Sequence, residues 1–272
     1  DEVNQLEERL DLIKDLKRKY GNNITDIFEY LEKIKNKLDN LLNSEQALIK
    51  LNTLKKSELK QVFDLCQTLT KLRKEIGESI KNKLLSELKC LGIKNGQFEV
   101  VFNNDYSLEN IEKCATYNGV DNLEFMFSAN AGIELRPLSK IISGGEMSRF
   151  MLAFKCVIQD NSGIKTLVFD EIDTGIGGMI GAEVGKKIVS ISKYNQVICI
   201  THLAQIASFA DNNYLIEKTT DNNYTTSSIK LLDEEQKVKE ITRMLGLNAG
   251  ENATNSARDL INDAINYKQI LK

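Results

Sequence analysis

Two short apolar runs, separated by a segment of helical periodicity, restrict the fold of this 272-residue chain more than any other feature. The first run, 166–169, ends in Asp170-Glu171, and the second, 197–200, ends in Thr201-His202. Between them, apolar residues over 182–191 recur at helical spacing. Unbroken apolar runs of this length are typical of strands buried on both faces of a parallel sheet. Because such a unit needs a right-handed crossover, both runs deliver their polar residues to one sheet edge, where open α/β sheets bind ligands.

The amino-terminal third of the chain carries a different pattern. Apolar residues alternate at spacings of three and four over 3–13 and again over 24–41, with Gly21-Asn22-Asn23 between the two stretches. Such a narrow apolar seam is of heptad type and needs a partner to cover it. We therefore expect a coiled-coil arm or helical hairpin over 1–91, with a compact helical bundle as the alternative, followed by a mixed α/β lobe over 92–272.

Composition excludes several classes of protein. The chain has no apolar run long enough to span a membrane, and its first twenty residues are too densely charged for a signal peptide. Its five cysteines lack CxxC spacing, so we expect neither a disulfide scaffold nor a zinc site, and a reducing cytoplasm fits. The formal net charge of −3 gives no basic excess that would indicate nucleic acid binding. Because the chain does not begin with Met, we expect it to be part of a longer product.

A Ser-Gly-Gly-Glu sequence at 143–146 precedes an apolar helical pattern. Ser143 suits a helix N-cap, and Gly144 and Gly145 would let a ligand approach the backbone closely. A helix N-terminus presents free N–H groups and a partial positive charge, which makes it a candidate anion site. The alternative is an ordinary loop and cap.

The polar residues after the two apolar runs have the chemistry of a phosphate-cleaving site. Asp170 could hold Mg²⁺ directly or through water, and Glu171 could orient an attacking water. His202, the only histidine, could donate to a phosphate oxygen, and a Gly-rich turn occupies 173–178. The alternatives are solvated turn carboxylates, a structural histidine and a flexible connection.

The order of these segments resembles the carboxyl-terminal lobe of an ABC-type ATPase head. In such lobes a signature loop, a Walker B strand, a D-loop and a switch histidine follow one another. Three stretches narrow the resemblance to the RecN family of bacterial DNA-repair ATPases, which is related to the structural-maintenance-of-chromosomes (SMC) family: 138–149, 169–178 and 200–207. The Asp-Thr-Gly-Ile-Gly-Gly turn at 173–178 is the most specific, because SMC ATPases tend to carry Asp-Ala-Ala-Leu-Asp there. Further matches extend the resemblance over nearly the whole chain: 6–21, 127–130 and 241–246.

The resemblance implies a fold and an ATP-binding role for the first motif. The fold would be an ABC/SMC-like α/β head lobe, with a mostly parallel sheet and flanking helices, preceded by a coiled coil. The signature residues would contact the γ-phosphate of ATP held on a partner head: Ser143, Gly144, Gly145 and Glu146.

The resemblance also implies roles around the Walker B strand. Asp170 would position Mg²⁺ through water, and Glu171 would polarise the attacking water. His202 would touch the γ-phosphate of the ATP on its own head. Asp173 would lie at the dimer seam, and Arg149 would support the head surface or that seam.

One element of the family is missing from this sequence. We find no phosphate loop, GxxxxGK[ST], which the family carries in an amino-terminal lobe. We therefore expect no useful ATP hydrolysis by this chain alone. The resemblance implies a part of an ATPase in recombinational repair of DNA double-strand breaks, associated with the nucleoid, with that lobe, a second head and DNA as partners and no membrane. The alternative function is a non-catalytic coiled-coil interaction or DNA-tethering module.

Overall fold

The computed structural model describes residues 2–140, 144–158, 166–221, 224–246 and 250–271. A 3₁₀ turn over Leu138–Lys140 precedes the fourth α-helix. The described helices and strands follow in chain order: α1 Glu2–Tyr20, α2 Ile24–Cys90, β1 Gln97–Phe102, α3 Ile111–Cys114, β2 Leu123–Ser128, β3 Arg136–Pro137, α4 Gly144–Ile158, β4 Thr166–Phe169, α5 Gly178–Ser192, β5 Gln196–Cys199, α6 Ala204–Ala207, β6 Tyr214–Asp221, β7 Tyr224–Leu231, α7 Glu234–Met244 and α8 Glu251–Ile270.

The chain divides into two compact units. The first consists of 1–68 and 105–120, and the second of 69–104 and 121–272. The change from helix to mixed structure after Cys90 follows the change of sequence pattern, but the second unit also takes in the last third of α2. The division into an arm over 1–91 and a lobe over 92–272 stays a prediction.

In the first unit, the helical segment breaks where the sequence pattern indicated. The Asp26 carboxylate accepts hydrogen bonds from the backbone N–H groups of Asn22 and Asn23, and the Asn23 side chain accepts from the N–H of Asp26. These reciprocal bonds cap the start of α2. A side chain at Gly21 would collide with Asp26, so the sharp break between α1 and α2 needs a glycine there.

The seam of α1 and α2 is open to solvent in this chain. Leu10, Leu38 and Leu41 are all more than half exposed, at 54%, 54% and 68%. Helix α2 runs unbroken for 67 residues, which rules out the compact bundle for this segment. Such an exposed apolar stripe on a long helix is what a coiled-coil partner would cover.

The connection between β1 and β2 leaves the second unit and packs within the first. Tyr106 meets Phe63 edge to face at 5.8 Å, and Glu112 forms an ion pair with Lys55 of α2 at 2.7 Å. Ile111 of α3 is fully buried. This connection therefore braces the part of α2 that lies in the same unit.

In the second unit, α2 and α4 pack with the antiparallel sheet β1-β2-β3 around an aromatic core. Phe150 of α4 lies 4.7 Å from Phe127 and 5.9 Å from Phe98, measured between ring centroids. Leu84 and Leu88 of α2 are fully buried in the same cluster. The strand predictions over 97–102 and 123–127 are confirmed.

The strand–helix–strand prediction is also confirmed. Strands β4 and β5 pair in parallel, with α5 between them in the chain. The expectation of a mostly parallel sheet applies to this pair, whereas the other described strand pairs are antiparallel. For β6 and β7 the reason is their short connection, which only antiparallel strands permit.

The expectation that these two strands are buried on both faces is wrong for this chain. Phe169 points into the core, while Val168 and Ile198 on the other face are 63% and 47% exposed. The hairpin β6–β7 likewise presents paired exposed apolar residues, Tyr214 opposite Leu231 and Ile216 opposite Ile229. Apolar residues on these strands thus remain uncovered by the described chain.

Candidate functional site

The parallel pairing of β4 and β5 brings two polar segments to one sheet edge. The pairing ends at Phe169 opposite Cys199, and the N–H of Ile200 still donates to the carbonyl of Phe169 at 2.9 Å. Asp170 and Glu171 therefore leave β4 beside the segment that continues from β5 to His202. This is the carboxyl edge that the sequence predicted.

Glu171 sits at this edge in a backbone conformation that is rare for its residue type. Its φ is +53°, in the left-handed region, which costs a non-glycine L-residue about 1–2 kcal/mol. The turn that follows is closed by a 3.1 Å hydrogen bond from the N–H of Thr174 to the Glu171 carbonyl. Strained residues of this kind cluster at functional sites, and the side chain here is exposed.

The amino-terminal end of α4 lies against this turn. A Cβ on Gly144 would come within 2.5 Å of Oε2 of Glu171, and a Cβ on Gly145 would meet the carbonyl oxygens of Glu171 and Thr174 at 3.0 and 3.1 Å. The Ser148 hydroxyl donates to the carbonyl of Asp170 at 2.8 Å. The two glycines thus allow an approach that larger residues would prevent.

Arg149 anchors the same turn from inside the protein. The side chain is 5% exposed, and its Nη1 donates to the carbonyls of Ile172 and Thr174 at 3.1 and 2.8 Å. Burial lowers the pKa of the Arg149 guanidinium, while the charges of Glu146 and Asp173 act in the opposite direction. The guanidinium stays charged, as arginine does in proteins.

Asp173 joins the turn to the segment after β5. Its carboxylate is almost fully buried, and Oδ2 accepts hydrogen bonds from the Thr201 hydroxyl at 2.5 Å and from the N–H groups of His202 and Leu203 at 2.6 and 3.2 Å. These partners compensate for burial of the carboxylate. The observed bonds of Asp173 lie within this chain, and its predicted place at a dimer seam stays a prediction.

His202 projects from this edge toward solvent. Its side chain is 71% exposed, and its Nδ1 lies 3.0 Å from Oδ2 of Asp173. A carboxylate at this distance favours a proton on Nδ1, and Nε2 is directed away from it. The imidazole is therefore both oriented and accessible.

Cys199, at the end of β5, carries no reactive thiol. Burial, together with the charges of Asp173 and Asp170, raises the pKa of Cys199 to about 12. Because the thiolate is the nucleophilic form, this thiol is inert near neutral pH.

A Mg²⁺ ion would find limited protein ligands at this site. In the described parts of the chain, no cluster of three or more His, Cys, Asp or Glu side chains could hold a metal ion. Mg²⁺ in nucleotide sites needs one or two carboxylates, with phosphates and water completing its shell. The exposed carboxylate of Asp170 fits such a site, and the free N–H groups at the start of α4 fit an anion.

The structure brings together most of the residues singled out in the sequence. Those in the described segments converge on one sheet edge, whereas Ser143 lies outside the described residues. Sequence reasoning gave no role to Ser148 or to Thr201, and the structure shows that both connect the segments of the site through hydrogen bonds. Thr201 follows a predicted strand directly, and this position was the available signal for it. None of the helices in the described segments is both long and apolar enough to cross a membrane.

The fold is shared with the head domain of an Smc protein. A solved Smc head domain with a coiled coil and joint, from Pyrococcus yayanosii, superposes with a TM-score of 0.55 at 20% identity, over 89% of this chain and 43% of that one. No family model matches the chain. The fold thus defines the class of the chain: part of an Smc-like head domain, preceded by a helical segment.

Sequence comparison identifies the family within that class. The chain is 34% identical over 98% of its length to a protein named DNA repair protein RecN from Halalkalibacterium halodurans, and equally to that from Bacillus subtilis. The protein of that name from Treponema pallidum is 36% identical over 96% of the chain. The chain belongs to the RecN family. It spans about half the length of these relatives, 47%, 48% and 44%, and corresponds to their carboxyl-terminal part.

Proposed function

We propose that this chain is the carboxyl-terminal lobe of a RecN-type ATPase that acts in DNA repair. The observation that carries this proposal is the convergence of three segments at one sheet edge: the glycine-rich start of α4, the turn 170–174 and the segment 201–203. An anion-binding helix start, adjacent carboxylates and an oriented imidazole are the groups that phosphoryl transfer from a nucleotide requires.

The start of α4 would bind phosphate. The N–H groups at Gly144, Gly145 and Glu146 belong to the first turn of the helix, where they have no intrahelical partners. Following the family resemblance, Ser143 and these residues would face the ATP of a second head. An anion here would also be stabilised by the helix dipole.

The turn after β4 would serve the reacting groups. The bound Mg²⁺ would supply charge stabilisation to the phosphates. Asp170 would hold it, through water, and Glu171 would accept a proton from, or orient, the attacking water. His202 in its imidazolium form would donate from Nε2 to a phosphate oxygen from the other side of the edge, and Asp173 would couple the two sites at the seam.

A second lobe would complete the head. The sequence carries no phosphate loop, and Val168 and Ile198 expose an apolar sheet face that a further layer would cover. The exposed hairpin pairs Tyr214–Leu231 and Ile216–Ile229 support the same proposal. The curated relatives are about twice as long as this chain, which leaves room for such a lobe.

The repair role follows from the relatives, which are named as DNA repair proteins. ATP-driven pairing of two heads would operate the arm, whose open seam on α2 needs a partner helix. The protein would then act on DNA at the nucleoid. The exposed seam also suits a non-catalytic tether, which is the competing function.

Glu171→Gln, made in this chain joined to a phosphate-loop lobe, separates these functions. Loss of the general base should lower hydrolysis by about 100-fold or more, while heads paired by ATP accumulate on size-exclusion chromatography. Glu124→Gln, at an exposed position of β2, is the matched control and should leave both unchanged. If the joined protein neither binds nor hydrolyses ATP, the tether becomes the better account.

A further inference from the structure

We propose that Arg149 is a positioning residue that sets the orientation and the protonated nitrogen of His202 through the turn 172–174 and the buried carboxylate of Asp173. The importance of His202 for hydrolysis rests on the proposed function above. The hydrogen-bonded connection itself does not, and it can be tested without a nucleotide.

The first step of the connection is the pair of hydrogen bonds from Arg149 to the turn 172–174. The two carbonyls that accept from its Nη1 belong to Ile172 and Thr174, the residues on either side of Asp173. The Ile172 carbonyl belongs to the peptide that precedes Asp173, and the Thr174 carbonyl belongs to the peptide that follows Thr174. The two bonds therefore hold the turn on both sides of Asp173 and restrict the direction of its side chain. A buried arginine used only for packing would not need to fork onto these two oxygens.

The energetic cost of burying Arg149 indicates that its hydrogen bonds to the turn, and not packing alone, explain an arginine at this position. Its Nε has no hydrogen-bond partner among the described residues, although it is buried. An unpaired buried donor costs about 1–3 kcal/mol. A methionine or leucine would fill the position without this cost. We therefore attribute the presence of a guanidinium here to the two hydrogen bonds that Nη1 donates to the turn.

The second step runs from Asp173 to the histidine. Oδ2 of Asp173 accepts from the N–H of His202 at 2.6 Å and lies 3.0 Å from its Nδ1. One oxygen thus fixes both the backbone and the ring of the same residue. The hydrogen bond from the backbone N–H of His202 restricts where Oδ2 can lie. A small rotation of the carboxylate would therefore lengthen and misalign the contact to Nδ1.

The consequence is a continuous link from α4 to His202. Arg149 lies in the second turn of α4, whose start we assign to phosphate binding. Anion binding at that helix start would therefore change the position of the imidazole, through the contacts of Arg149 with the turn 172–174 and of Asp173 with His202. The link deepens the proposed function by adding a positioning residue that the sequence had placed only at the head surface or seam.

The single histidine of the chain makes a direct test available. With ¹⁵N-labelled histidine, long-range ¹H–¹⁵N spectra show which ring nitrogen carries the proton, and His202 is the only residue that contributes. At a pH where the ring is neutral, the wild-type chain should show the Nδ1–H form. Arg149→Met should lose the dominance of that form, and Asp173→Asn should lose it as well, because the amide can donate to Nδ1.

Two further variants keep the test decisive. Arg258→Met replaces an exposed arginine on α8 and should leave the wild-type spectrum unchanged. Arg149→Leu removes both hydrogen bonds of Nη1 with a different side-chain shape, so a folded Leu variant should lose the Nδ1–H form if the Met variant does not fold. Backbone amide spectra report folding in each case.

The proposal is overturned if folded Arg149→Met or Arg149→Leu keeps the Nδ1–H form, or if the wild-type ring carries its proton on Nε2. These outcomes are independent of the ATP experiment. If hydrolysis is normal but the proton position on His202 does not depend on Arg149, only the positioning role is refuted. If that dependence is observed but the joined protein does not hydrolyse ATP, only the proposed function is refuted.

Discussion

A buried carboxylate beside α2 offers the sharpest test of how the second unit is stabilised. The Asp121 side chain is fully buried and accepts from the Thr70 hydroxyl at 2.5 Å, from Nη1 of Arg73 at 2.6 Å and from the Asn104 amide at 2.7 Å. Thr70 and Arg73 belong to α2, and Asn104 follows β1. One carboxylate therefore ties the helix to both ends of the β1–β2 connection.

We predict that Asp121→Asn lowers the free energy of unfolding of the second unit by about 2–3 kcal/mol at pH 7. A hydrogen bond to a charged group contributes about 1.5–3 kcal/mol, and a broken buried ion pair costs about 3–5 kcal/mol. We expect a value in the lower part of these two ranges because the Arg73 side chain is 30% exposed, so water partly replaces the carboxylate that the substitution removes. The bonds from Thr70 and Asn104 would persist in weaker, neutral form.

The effect should depend on pH in a defined direction. Burial raises the pKa of Asp121, but hydrogen bonds from Thr70, Arg73 and Asn104 and the charge of Arg73 outweigh it, so the pKa lies below its usual value. A carboxyl with a depressed pKa stabilises the folded state above its unfolded pKa of about 3.9, and this stabilisation is lost as pH falls through the folded value. The difference between wild type and Asp121→Asn should therefore be full above about pH 5 and shrink toward pH 3.

Urea unfolding followed by circular dichroism, repeated over this pH range, measures the difference. Hydrogen exchange at the amides of β1 and β2 shows that the loss lies in the second unit. Glu124→Gln is the matched control, because it removes an exposed carboxylate from β2. Equal midpoints for the two variants at pH 7, or a loss that does not change with pH, would refute the electrostatic account.

Three further predictions concern other positions. Glu171→Gly should raise the free energy of unfolding by up to about 1 kcal/mol by relieving the positive φ, while abolishing hydrolysis in the joined protein; an unchanged or lower stability would contradict the strain. Gly185→Ala should lower the thermal midpoint of unfolding, because its Cβ would lie 2.4 Å from Cδ2 of Phe209. Such overpacking costs about 1–3 kcal/mol. Gly132→Ala is the comparison: it has open space around its Cβ but a positive φ, so it reports the cost of backbone strain alone. A thiol reagent at pH 8 should modify the exposed Cys90 rapidly and Cys199 only on unfolding, as read by mass spectrometry; rapid labelling of Cys199 in the folded chain would contradict its raised pKa.

Local sequence patterns predicted the elements of the fold well where burial follows a simple period. The run 166–169, the helix between the strands and the strand over 97–102 all form as expected, because each has its apolar residues on the face that meets the core. The break at Gly21 was also visible, since Gly21-Asn22-Asn23 interrupts the apolar seam. These features depend on neighbours in the chain.

Features that depend on distant residues were not predictable in the same way. Nothing near Arg149 in the sequence shows that it forks onto carbonyls of residues 172 and 174, and the burial of Asp173 depends on partners at 201–203. The exposure of Val168 was also missed, because an unbroken apolar run reports the environment of the complete sheet rather than that of this chain. In that sense the wrong expectation supports the proposed second lobe.

The central claim is that this chain holds one half of an ATPase head, and its most direct test is hydrolysis with and without the other half. Phosphate release should be measured for the 272-residue chain alone, and then for the chain joined to an amino-terminal segment that carries GxxxxGK[ST], as the longer relatives allow. The account predicts no hydrolysis above background for the chain alone and hydrolysis that depends on Glu171 for the joined protein. Robust hydrolysis by the chain alone, abolished by Glu171→Gln, would contradict it, because the site would then be complete without a phosphate loop.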